Sequence, residues 1–80
     1  MTTSATTLGE RVAATVRAHM GWRRLPVSEL ARVLGLGQRA AKRRYDGVRD
    51  FSLTELERVA EWLDIDREDL AAGRMPERAA

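Results

Sequence analysis

The chain is expected to fold as an all-α protein, a compact bundle of about five short helices, and three features of the sequence predict this. Apolar residues recur at helical spacing in two segments. Val27, Leu30, Ala31 and Leu34 fall at i, i+3, i+4 and i+7, and Leu53, Leu56, Val59, Ala60 and Leu63 repeat the pattern downstream. Two helix starts carry a capping-box signature, Thr7 with Glu10 and Ser52 with Glu55, in which hydroxyl and carboxylate satisfy each other's backbone N–H groups. No segment gives a convincing β-hairpin signal. Eighty residues make one domain with a limited core, and without cysteine it must hold with neither disulfides nor thiolate metal sites.

Taken in order, Met1 to Thr6 is a polar leader expected to be disordered, residues 7–72 form the domain, and residues 73–80 are a flexible tail. The first helix follows Thr7 and turns Leu8, Val12, Val16 and Met20 inward, with His19 beside that stripe as an ordinary helix-end histidine. Trp22 in the following linker is expected to plug the core. Pro26 suits the start of the second helix, where a missing N–H costs nothing. Gly35 stands where a C-terminal cap needs positive φ, Leu36 points back into the core, and Gly37 or Gln38 opens a third helix that stops near Gly47. Phe51 anchors the next loop. Ser52 opens the fourth helix, with Trp62 at the edge of its apolar stripe, and Asp66 with Asp69 caps a last short helix that buries Leu70.

The segment PVSELARVLGLGQRAAKRRYDG, from Pro26 to Gly47, resembles the helix-turn-helix of the lambda-repressor/Cro-like family of DNA-binding domains. That pattern wants a small residue in the middle of its first helix, met by Ala31, glycine at the turn, met by Gly35, and apolar residues at Leu30, Leu34 and Leu36. DFSLTELERVAEWLDIDREDL is similar to the fourth and fifth helices of the same five-helix domain, so the resemblance spans roughly Leu8 to Ala72. It implies sequence-specific binding to double-stranded DNA and a transcriptional repressor of phage Cro or immunity-repressor type, acting at an operator.

Charge is distributed in keeping with this. The net charge of +2 divides into +6 over residues 1–50 and −4 over residues 51–80. A basic half beside an acidic half suits a polyanion docking on one side. At about 100° per residue, Gln38, Arg39, Lys42 and Arg43 share one helix face, with Ala41 on the other side. The resemblance directs those four into the major groove, where Arg pairs with guanine, Gln with adenine, and Lys donates to guanine. It also places Arg23, Arg24, Ser28, Arg44 and Arg49 near the DNA backbone as phosphate contacts.

Two departures from the family pattern leave the rotation of this helix open. Ala41 replaces a larger aliphatic residue, and Arg44 occupies a usually buried apolar position. One rotation makes Arg44 snorkel from the core edge toward phosphate. The other centres the buried face on Ala41 and Tyr45 and turns Lys42 toward the flank. Arg39 and Arg43 point outward in both.

Other functions find less support. With one His and no Cys, a metal site is not expected, nor is any cofactor. No Gly-rich phosphate loop is present, and the Glu57/Glu61 pair reads as a solvated face, so no catalytic residue is expected. An antitoxin, a recombination-directionality factor or a helical protein-interaction module are the alternatives. The tail is short and polar, which disfavours the first. The missing β-wing disfavours the second, and the cations between Gln38 and Arg49 disfavour the third. Relatives of this type usually act as dimers, so the resemblance implies a weak or DNA-dependent homodimer with Trp62 as its candidate contact. Nothing in the sequence requires a dimer, and monomeric binding stays the alternative. No apolar run is long enough to span a bilayer and no signal peptide is evident, which suggests a bacterial cytoplasmic or nucleoid location. The preponderance of Arg over Lys suits a GC-rich bacterial or phage genome.

Overall fold

A computed structural model describes residues 6–76. Five helices follow in order: α1 (Leu8–Trp22), α2 (Val27–Leu34), α3 (Gln38–Tyr45), α4 (Leu53–Leu63) and α5 (Arg67–Ala72), with no strand among the described residues. Thr7 and Ser52 each accept from the N–H of a glutamate three residues on, Glu10 and Glu55, at 3.1 Å. Both glutamates reach back to the cap N–H at 3.0 Å, so each capping box is closed. The residues of the expected leader before Thr6, and of the tail after Pro76, lie outside the described residues.

The core gathers one stripe from each helix: Val12, Val16 and Met20 of α1, Leu30, Ala31 and Leu34 of α2, Ala41 of α3, Val59, Ala60 and Leu63 of α4, and Leu70 of α5. Val27, Leu36, Phe51, Leu56 and Trp62 pack partly buried at its margin. Burying such aliphatic side chains contributes about 1.5–3 kcal/mol each, before the opposing loss of chain entropy.

Four expectations need correction. Leu8 and Leu53 are 58% and 82% exposed. Each is the first residue of its helix, where the end overhangs the core, and the inward stripe begins one turn later with Val12 and Leu56. Trp22 is 54% exposed rather than a core plug. It is the last residue of α1, and its ring lies under the Arg23 guanidinium at 5.6 Å. Asp66 stands at the N-cap of α5 as expected but makes no side-chain capping bond there, and Asp69 pairs with Arg74 at 3.5 Å.

His19 is buried and doubly satisfied, at 5% exposure. Its Nε2 lies 2.9 Å from the Arg74 carbonyl and its Nδ1 3.2 Å from Arg23 Nη1. A carbonyl can only accept and a guanidinium can only donate, so these contacts suit an Nε2 that donates and an Nδ1 that accepts. Thr15, also buried, donates to the Arg11 carbonyl at 2.8 Å. Among the described residues no buried side-chain nitrogen or oxygen lacks a partner.

Candidate nucleic-acid interface

The α2–α3 connection is short because two residues close it. Gly35 takes φ +68°, a left-handed conformation that a side chain would oppose, and its N–H caps α2. Leu36 donates to the Ala31 carbonyl at 3.0 Å while its side chain meets the core, and Gly37 begins α3. α3 then packs against α1 and α2 through Ala41, which is fully buried, with Tyr45 partly buried beside it.

Ala41 is the buried centre, with Arg44 and Tyr45 partly buried on either side of it, so neither expected rotation alone describes α3. Gln38, Arg39, Lys42 and Arg43 all stand on its exposed side. Arg39 and Arg43 share one open depression with Gly37, Ala40, Arg44 and Arg49, so the turn after α3 brings Arg49 alongside the helix. None of Arg39, Arg43 and Arg49 belongs to an ion pair among the described residues. Lys42 is exposed but engaged, donating to both carboxylate oxygens of Asp46 at 3.0 and 2.8 Å, with the Tyr45 ring 5.9 Å away.

Arg44 does not snorkel toward solvent. Its Nε donates to Glu55 Oε1 at 2.8 Å and its Nη1 to the Ala40 carbonyl at 3.1 Å, with the two charged side chains 14% and 15% exposed. Burial raises the Glu55 carboxyl, but the bond from Arg44, the Ser52 N–H and the charges of Arg44 and Arg49 outweigh it. The result lies below the ordinary 4.5.

The remaining expected contacts are scattered. Arg23 turns away from α3, donating to the Leu63 carbonyl at 2.9 Å and to His19. Arg24 is exposed and takes φ +57°, closing α1 in a conformation more usual for glycine. Ser28 is exposed on the first turn of α2, and Trp62 is partly buried against the core. Glu57, Glu61, Asp66 and Glu68, together with Arg58 and Arg67, line a separate depression between α4 and α5 that shares no residue with the basic one.

One contributor went unnoticed in the sequence. Arg17 of α1 donates from Nη1 to the Tyr45 carbonyl at 2.8 Å, across 28 positions of chain. No local pattern announces a pairing at that separation. Among the described residues no set of His, Cys, Asp or Glu is placed to hold a metal ion, and no helix is long and apolar enough to cross a membrane.

The chain matches no family model, no curated protein and no solved structure.

Proposed function

We propose that the chain binds double-stranded DNA sequence-specifically through the exposed face of α3 and acts as a transcriptional repressor at an operator. The observation that carries this is the shared depression of Arg39, Arg43 and Arg49, three exposed cations that form no ion pair among the described residues. The net acidity of α4 and α5, away from the basic depression, supports one defined docking side rather than diffuse attraction. A major groove about 12 Å wide admits a helix. Gln38, Arg39 and Arg43 are the proposed base readers, with Arg49 on phosphate beside them. Arg24 and Ser28 are further candidate phosphate contacts. Lys42 joins the readers where a base edge or phosphate competes successfully with Asp46. Arg44 and Arg23 are assigned internal roles instead, because their donors are held by Glu55, Leu63 and His19.

Binding as a weak or DNA-dependent homodimer, with Trp62 at the contact, forms part of the proposal. Selection from a randomised duplex pool tests it. A palindromic product with half-sites about 34 Å apart supports a dimeric repressor. A single asymmetric half-site removes the dimer, and no enrichment removes sequence-specific binding.

A further inference from the structure

We propose that Arg17 is a positioning residue that clamps the C-terminal end of α3 onto α1 and so fixes where Arg43 and Arg49 meet DNA. This rests on the nucleic-acid reading of α3. The last four carbonyls of a helix have no partner within it and must find one elsewhere. In α3 every one of them does. The Lys42 carbonyl accepts from the Asp46 N–H at 2.8 Å, and that of Arg44 from Gly47 at 3.2 Å. The Arg43 carbonyl accepts from both Val48 and Arg49, at 3.0 and 3.2 Å, which ties the backbones of the two DNA-facing cations together. The Tyr45 carbonyl is left for Arg17, at 2.8 Å.

That last bond differs from the other four. The others are local and close the turn upon itself, whereas Arg17 joins the turn to a different helix. It is half-buried, and its guanidinium places a positive charge at the negative end of the α3 dipole, where a cation is favoured. Gly47 lies in the same contact. A Cβ built there would stand 3.5 Å from Ala13 Cβ and 4.0 Å from Arg17 Nη1, so the turn rests directly on α1. Its φ of +81° directs the chain into the segment bearing Arg49. Without the Arg17 bond the turn keeps its internal hydrogen bonds but loses its polar tie to α1. Arg43 and Arg49 then retain their charge and lose a fixed direction.

The test compares Arg17→Met, which keeps length and removes the donors, with Arg17→Lys, which keeps one cation. Amide hydrogen exchange without DNA follows residues 46–49 against α2. Binding is measured to a duplex selected from a randomised pool and to random-sequence duplex. Arg17→Met is expected to speed exchange in the turn and leave α2 unchanged. It is also expected to lower the preference for the selected duplex roughly tenfold, as befits a hydrogen bond from a charged donor, with part recovered by Arg17→Lys. Unchanged exchange in the turn would overturn the clamp. Faster exchange with an unaltered preference would reduce Arg17 to a stabilising cap, and equal loss on both duplexes would make it a phosphate contact instead. If the unmodified chain shows no preference, the nucleic-acid reading fails and takes the positioning role with it, while the exchange measurement still judges the clamp.

Discussion

Arg44 and Glu55 form an ion pair, Nε to Oε1 at 2.8 Å, that joins the last turn of α3 to the first turn of α4. The same oxygen accepts the Ser52 N–H at 3.0 Å, so one carboxylate closes a helix cap and holds the helix proposed to read DNA. Glu55→Gln separates the two roles, since glutamine also completes a capping box. The variant is expected to lose about 1–2 kcal/mol of stability, between the values typical of exposed and buried pairs, measured by urea unfolding.

The acid dependence of stability follows from the same group. The folded value of Glu55 lies below 4.5, its ordinary value and the one expected for the unfolded chain. Its contribution is therefore fully present above that value and is lost as pH falls through the lower, folded one. Unfolding free energy measured from neutral pH downward is expected to decline in this acid window less steeply for Glu55→Gln than for the unmodified chain. Identical slopes would show that the pair is not coupled to folding.

Gly35→Ala isolates a backbone effect. A Cβ at Gly35 meets no atom within 4 Å, so the substitution creates no clash, yet φ stays at +68°. A cost of about 1 kcal/mol in thermal unfolding is expected from the left-handed conformation alone. No loss would mean that the α2–α3 turn adopts another conformation.

Arg49 and Arg23 should respond in opposite ways. Arg49→Ala is expected to weaken all duplexes alike and to reduce the salt slope of binding by about one unit, with little change in stability. Arg23→Ala removes the donors held by Leu63 and His19. It should lower the melting temperature and leave the salt slope unchanged.

Asp46 holds Lys42 through an exposed pair, with side chains 57% and 39% accessible for Lys42 and Asp46. Asp46→Asn should therefore change stability by less than about 1 kcal/mol. It should also tighten binding to random duplex and steepen its salt slope, because a cation is released beside the DNA-facing side of α3. An unchanged slope would place Lys42 outside the interface.

Local rules made most of the fold legible. Both capping boxes, the glycine stop at Gly35 and the stripes of α2 and α4 depend on residues within one or two turns of each other, where spacing alone sets the contact. The failures fall where the outcome depends on distant chain. Whether Leu8, Leu53 and Trp22 are covered is decided by what overhangs a helix end, and periodicity holds no record of that. The rotation of α3 depended on Arg44, whose partner Glu55 lies beyond an intervening loop. Arg17 was invisible for the same reason, since its acceptor is a backbone carbonyl on another helix.

The central claim, that α3 reads bases, is tested most directly by titrating Arg39→Ala and Arg43→Ala on a selected and a random duplex across a salt series. The account predicts a loss of about 1–3 kcal/mol on the selected duplex, a smaller loss on the random one, and relaxed preference at particular base pairs. Equal loss on both duplexes at every salt concentration would contradict it, leaving these arginines as charges and α3 as a helix that does not read sequence.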